Sequence, residues 1–187
     1  MKYLYLMCGP AGSGKSTWIN KKIKEWNEEV NCYHVSRDEI RNLLLSDEDK
    51  NMFIHEGEVI QTFIDTINNR IHLPEDYSFI FADATHLSEK ARNKILDNLD
   101  LKDVNVVPVV FNVSLDLTVK HNEKRRKMKR AYVPVSVIRR MYANFQKPTF
   151  HEKHKYHDII IIGDYDKDYC LKIFKDYRLR FEKEANE

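Results

Sequence analysis

The sequence predicts an α/β fold, a parallel five-stranded sheet with helices on both faces. Three observations predict it. Short apolar runs alternate with amphipathic stretches along the chain, the strand–helix–strand order that builds parallel sheets. The runs at 3–8, 78–83, 104–111 and 159–162 are apolar almost throughout, as strands must be when both faces of a sheet are covered. The first run ends in Gly9-Pro10-Ala11-Gly12-Ser13-Gly14-Lys15-Ser16-Thr17, which fits G-x-x-x-x-G-K-[ST] at every fixed position. An amphipathic stretch with Trp18, Ile19 and Ile23 follows. Strand, glycine loop and helix in that order make the P-loop NTPase-type arrangement.

Such a loop is an anion site, because backbone N–H groups converge there and the helix dipole adds partial positive charge. The expected ligand is a nucleoside triphosphate, with Gly9, Gly12, Ser13, Gly14, Lys15, Ser16 and Thr17 around its phosphates. Lys15 would reach the β- and γ-phosphates, and the Ser16 hydroxyl would ligate Mg²⁺.

Composition narrows the class further. A length of 187 residues suits one domain, and 42% hydrophobic with 32% charged residues suits a soluble globular one. No apolar run is long enough to span a membrane. Lys2 precedes an apolar stretch too short for a signal peptide, and that stretch runs straight into the glycine loop. Cys8, Cys32 and Cys170 are odd in number and lack C-x-x-C spacing, which argues against a disulfide framework and suits a reducing cytoplasm. A net charge of +2 gives the whole molecule little pull on nucleic acid, so any such attraction must be local.

The remaining elements follow in order. Cys32-Tyr33-His34-Val35 reads as a strand, and Ser36-Arg37-Asp38 opens a helix through Ile40, Leu43 and Leu44. Ser46-Asp47-Glu48-Asp49 is expected to cap a longer helix with Phe53, Ile54, Ile60, Phe63, Ile64 and Ile67 as its apolar stripe. Pro74-Glu75-Asp76 is a turn, 78–83 a strand, and Ser88 starts a helix with Ile95 and Leu99 inward. The strand at 104–111 contains Pro108, tolerable at a bulge or edge. A helix from Ser114 to about Lys124 leads into a basic segment, after which Val133-Pro134-Val135-Ser136 begins a helix with Val137, Ile138, Met141 and Phe145 on one side. Ile159 to Ile162 is a strand, and the last helix carries Leu171, Ile173, Phe174 and Phe181.

Ligands of such sheets sit beyond the C-terminal ends of the strands. After the second strand, Asp38 and Arg41 lie one helical turn apart. Asp38 could take a proton from an attacking hydroxyl, and Arg41 could hold an anionic part of the acceptor with its planar fork. The alternative is an acidic helix cap at Asp38 and an exposed Arg41. After the third strand, Asp83 suits either Mg²⁺ or a turn cap. The basic segment 120–130, with Arg125 and Arg126 at its middle, suits a solvated face or a loop that closes over the triphosphate. His151, His154 and His157 do not have metal-site spacing, and Asp164, Asp166 and Asp168 read as a solvated turn.

Four elements in order carry a resemblance: the glycine loop through Trp18, Ser36-Arg37-Asp38-Glu39-Ile40-Arg41, Asp83-Ala84-Thr85-His86-Leu87, and Val133-Pro134-Val135-Ser136-Val137-Ile138-Arg139-Arg140-Met141-Tyr142. The chain resembles the 5′-hydroxyl kinase domain of phage-type polynucleotide kinases, within the wider group of P-loop kinases. The resemblance implies a single kinase domain over 1–187 with a basic lid at about 120–132. It implies transfer of the ATP γ-phosphate to the 5′-hydroxyl end of DNA or RNA, with ATP and Mg²⁺ bound. Asp38 would be the general base, Arg41 would bind the phosphate flanking the acceptor nucleoside, and Lys15, Ser16 and Arg125 would handle the triphosphate. Thr85 and Arg126 would line the acceptor side. The chain departs from the family pattern at His86, where asparagine is common, and in its longer, more basic lid. With no phosphatase or ligase domain attached, a stand-alone kinase is expected. The alternatives are a kinase of a small hydroxyl compound, such as a nucleoside or nucleotide sugar, and a nucleotide-dependent binding protein without catalysis.

Overall fold

The computed structural model describes residues 1–45, 53–128, 132–164 and 166–184. Five strands, β1 (Lys2–Cys8), β2 (Asn31–Ser36), β3 (Ser78–Asp83), β4 (Val104–Asn112) and β5 (Ile160–Gly163), form one sheet in the order β2-β3-β1-β4-β5. Every pairing is parallel. From β1 the chain crosses first to the β2–β3 side and later to the β4–β5 side. The order therefore reverses at the tip of β1, the position where open α/β sheets take their ligands.

The strand period of two sorts the side chains between two cores. Leu4, Leu6, Ile80, Ala82, Val106 and Val110 face α3 (Glu56–Ile71), α4 (Glu89–Leu96) and α7 (Lys167–Glu184), which contribute Phe63, Ile67, Ile95, Leu96, Tyr169 and Ile173. Tyr5, Met7, Phe81, Val107, Val109 and Phe111 face the other way, onto Trp18, Ile19, Ile23 and Trp26 of α1 (Lys15–Trp26). The short α2 (Arg37–Leu44), with α5 (Leu115–Lys127) and α6 (Val135–Ala143), complete the fold. Among the described residues, no helix is long and apolar enough to cross a membrane.

Several expectations are corrected. Phe53 and Ile54 lie in a turn before α3 and are exposed, because that helix starts only at Glu56. The cap expected at 46–49 lies outside the described residues. On α7 it is Tyr169 and Ile173 that reach the core, whereas Leu171 and Phe174 are 43% and 64% exposed. The side chain of Phe181 lies outside the described residues. Pro108 is neither at an edge nor at a bulge: β4 pairs with β1 in unbroken register from Lys2↔Val104 to Cys8↔Val110. On the other side the His157 N–H reaches the Val106 carbonyl, so by alternation the N–H that Pro108 lacks would face the same way. Regular pairing there opens only at Val109↔Ile160. Asp166 is not merely solvated, since it binds Lys147 at 2.6 Å and accepts from the Tyr169 N–H at the start of α7.

One buried ion pair ties distant segments together. Arg92 of α4 is fully buried, and its Nη1 donates to the carbonyls of His86 and Gln146, both at 2.9 Å. Its Nε and Nη2 donate to Glu152, whose carboxylate also accepts from the Tyr156 hydroxyl at 2.7 Å. Removing one member leaves the other charged and unpaired in the interior. Glu152→Ala should therefore cost about 3–5 kcal/mol of stability, read from urea unfolding. A loss under about 1 kcal/mol, the range of an exposed ion pair, would show that the pair does not hold these segments.

Candidate active site

The glycine loop leaves β1 pressed against β4. A Cβ on Gly9 would stand 2.9 Å from the Phe111 Cβ, so only glycine lets the backbone approach that closely. Gly14 precedes α1 with φ 101°, in the left-handed region, and no side chain caps the helix. Its first-turn N–H groups are thus left for an anion. The Gly9 N–H is held by the Thr85 carbonyl at 2.9 Å. Ser13 is buried in the loop, and Thr17 is exposed on α1.

Lys15 lies folded back and buried, its Nζ donating to the carbonyls of Gly9 and Pro10 at 3.0 and 2.8 Å. Burial pushes its pKa from 10.5 down to about 8. The carboxylates of Asp83 and Asp38 oppose that shift and the Arg125 charge adds to it. Asp38 and Arg125, far apart in sequence, both act on the same ammonium group.

Asp83 stands at the tip of β3, in register with Ser36 of β2. Its Oδ2 accepts from Ser16 Oγ at 2.8 Å and lies 3.0 Å from His34 Nε2. Burial alone would raise its pKa, but the His34 hydrogen bond, the Lys15 charge and the Ser16 hydrogen bond outweigh it and hold the pKa below the usual value. An ionised carboxylate beside a hydroxyl is a hard oxygen donor set, and these residues fit Mg²⁺. Two residues on, Thr85 is half-buried. His86 is buried with φ 41° and its Nδ1 is 2.7 Å from the Met7 carbonyl. Burial lowers its pKa to about 3, so the ring is neutral, and the Met7 carbonyl fixes the proton on Nδ1.

Ser36, not Asp38, caps α2, its Oγ accepting from the Glu39 N–H at 3.3 Å. The Asp38 side chain is 87% exposed while that of Arg41 is only 5% exposed. Arg41 Nη1 donates to Asp38 Oδ1 at 2.5 Å. Its Nε and Nη2 donate to Glu56 Oε2 at 3.1 and 3.0 Å, and Arg37 Nη2 lies 3.3 Å from Glu56 Oε1. Glu56 carries no sequence signal beyond an acid in a helix's first turn, and His34 none beyond its place on β2.

The lid begins as a helix rather than a loop: α5 runs through Lys127, and 129–131 lie outside the described residues. Its Thr118 and Asn122 are buried, and a Cβ on Gly12 would stand 3.2 Å from Thr118 Cγ2. The Asn122 amide clasps both backbone groups of Val133, donating to its carbonyl at 2.7 Å and accepting from its N–H at 3.1 Å. The Tyr142 hydroxyl lies 2.6 Å from Thr118 Oγ1 and donates to the Val113 carbonyl at 2.7 Å. Arg125, half-buried, continues the row Thr118, Asn122 by helical spacing and so faces the phosphate loop. Arg126 is 65% exposed, 3.7 Å from Glu123, with its guanidinium 5.5 Å from the Tyr132 ring centroid.

Residues 4–148 match the model of the AAA domain family. The chain belongs to that family. Among solved structures, a chain of the Pnkp1/Rnl/Hen1 RNA repair complex superposes with TM-score 0.63 at 23% identity, over 76% of this chain and 43% of that one. This protein thus spans less than half of that chain's length. A fungal RNA kinase gives TM-score 0.55 at 15% identity over 100% of this chain and 86% of that one. Kti12 from Chaetomium thermophilum, solved with ADP-AlF3, gives 0.63 at 12% identity over 92% and 95%. The likeness is one of fold, a P-loop kinase-like sheet.

In the nucleotide- and metal-free protein, the depressed Lys15 pKa has a consequence for stability. Below pH 8 the group is charged in both folded and unfolded chains, and the burial cost is fully present. Between about 8 and 10.5 the folded protein releases the proton while the unfolded chain keeps it, so stability rises with pH. Lys15→Met should be the more stable by on the order of 3 kcal/mol at pH 7, with the gap closing towards pH 10.5. A gap independent of pH in urea unfolding would mean that Lys15 is not desolvated.

Proposed function

We propose that the protein is a polynucleotide 5′-hydroxyl kinase, one domain over 1–187, that transfers the γ-phosphate of ATP to the 5′-hydroxyl end of DNA or RNA. The observation that carries this reading is Asp38: an exposed carboxylate, held by a buried arginine, beyond the strand tips and within the field of the phosphate-loop lysine. A hydroxyl approaching the γ-phosphate can meet a base there.

The chemistry follows from the side chains. The loop N–H groups take the phosphates, and Lys15 exchanges the Gly9 and Pro10 carbonyls for phosphate oxygens. Ser16 and Asp83 would hold Mg²⁺, whose part is to neutralise charge on the β- and γ-oxygens. Asp38 accepts the hydroxyl proton as the new O–P bond forms and the bond to ADP breaks. Arg125, facing the loop, offsets charge on the transferring group, while Lys120, Lys124 and Lys127 follow one ridge of α5 where a polyanion's backbone can lie. Thr85 and Arg126 are assigned to the acceptor. The names of the RNA repair and RNA kinase structures point the same way. One observation favours a small neutral acceptor instead: Arg41 is already engaged by carboxylates.

Incubation with γ-labelled ATP and a panel of 5′-hydroxyl oligonucleotides, nucleosides and sugars tests the reading. Label should enter oligonucleotide ends, and label entering only sugars or bare nucleosides would replace it with the small-molecule reading. Asp38→Asn should lower kcat roughly 10²–10⁴-fold with ATP affinity kept. Parallel loss of ATP binding would remove Asp38 as the base. Arg125→Ala should lower kcat by at least about 10², the worth of one transition-state donor, and Arg126→Ala by far less. Equal small losses would leave the lid as a solvated charge run.

A further inference from the structure

On β2, Tyr33 and Val35 turn to the core that α3 completes, while Cys32 turns to the core under α1. By strand alternation His34 shares the α1 side with Cys32, where an apolar side chain would pack well. The imidazole instead reaches across to the neighbouring strand. Its Nε2 lies 3.0 Å from Asp83 Oδ2, and the side chain is only 19% exposed. The same Oδ2 accepts from Ser16 Oγ at 2.8 Å. An ionised carboxylate only accepts hydrogen bonds, so His34 Nε2 and Ser16 Oγ both donate to one oxygen. With the Ser16 bond alone, the carboxylate could turn about its soft terminal torsion. A second donor, coming from β2 rather than from α1, removes that freedom. The Ser16 proton then points at Asp83, and the lone pairs of its oxygen point away from the carboxylate.

We infer that His34 is a positioning residue for the cation: it fixes the Asp83 carboxylate as acceptor of the Ser16 proton, and so turns the Ser16 oxygen outward to the metal. The inference rests on the reading above for the cation itself, Mg²⁺ beside Ser16 and Asp83. Outer partners of this kind orient the groups that touch a metal, and losing one lowers metal affinity about 10–100-fold. His34 acts only through Asp83. Its ring bonds the carboxylate and not the loop backbone that would take the phosphates, so nucleotide binding without metal should hardly sense its removal. Shape alone does not supply this role. A ring of similar size with no N–H would fill the space on β2 and leave Asp83 with one donor fewer.

The test compares wild type, His34→Phe, His34→Gln and Ser16→Ala by calorimetric titration with a non-hydrolysable ATP analogue, once with Mg²⁺ and once with EDTA. The ratio of the two affinities reads what the metal adds. His34→Phe keeps a ring and loses the donor, so its ratio should fall about 10–100-fold with the EDTA affinity kept. His34→Gln carries an N–H at a similar reach and should recover most of the ratio. An unchanged ratio in His34→Phe overturns the inference. So does an equal loss of affinity with and without Mg²⁺, which would make His34 a structural prop of the strand tips. A His34→Gln ratio as low as that of His34→Phe overturns it as well, since the donor would then not be what matters. Ser16→Ala separates this failure from that of the metal reading. If its ratio falls while that of His34→Phe does not, only the role of His34 is lost. If its ratio stays at the wild-type value, the cation is not held at Ser16, and both readings fall together.

Discussion

A single lysine charge, buried at the C-terminal edge of the sheet, is the constraint on which the site depends. Lys15 has no water shell, so its surroundings must supply negative potential or the proton is lost. Two loop carbonyls supply part of it, and Asp83 and Asp38 supply the rest from the tips of β3 and the start of α2. Those carboxylates are near only because β3 lies beside β1 and β2 beside β3, in an order that places three loops along one edge. The same arrangement sets the ammonium beside the N–H groups at the start of α1, and the proposed triphosphate would lie against both.

Tension between neighbours holds Asp83 in its ionised form. Asp83 is buried, which favours its neutral form, yet Ser16, His34 and Lys15 overcome that and keep it charged. Asp38 stands instead in solvent, with Arg41 behind it. A buried carboxylate with hydrogen-bonded partners suits the holding of a cation, and an exposed one suits a group that must meet an incoming hydroxyl. The two acids differ in environment, and the roles proposed for them rest on that difference.

The phosphate loop, the strands and the Asp38–Arg41 spacing were legible in the sequence because each is local: a run of apolar residues, a fixed motif, one helical turn. What was not legible depends on neighbours far along the chain. Nothing near Glu56 announces that it meets Arg37 and Arg41, and nothing near Arg92 announces Glu152. Periodicity assigned Phe53 and Ile54 to a core stripe because it counts apolar residues without knowing where the helix begins. The charges at 120–130 suggest a solvated face or a loop beyond about Lys124, yet α5 continues through Lys127. Lys, Arg and Glu are good helix formers, however, and the inward positions Thr118 and Asn122 are polar because they pack on backbone rather than on a core.

That correction changes how the lid can work. A disordered loop closing over a ligand loses backbone entropy of about 1–2 kcal/mol for each residue it fixes. Here the segment through Lys127 is already helical, and the Asn122–Val133 clasp and the Tyr142 hydroxyl fasten it to the next helix and to the end of β4. Arg125 is therefore carried on a framed element rather than on a loop. The Val133–Tyr142 element builds this frame: Met141 lies 3.4 Å from the Ala11 N–H of the phosphate loop, and Tyr142 binds the root of α5. A segment remote from the phosphate loop in sequence thus sets the direction in which α5 carries Arg125.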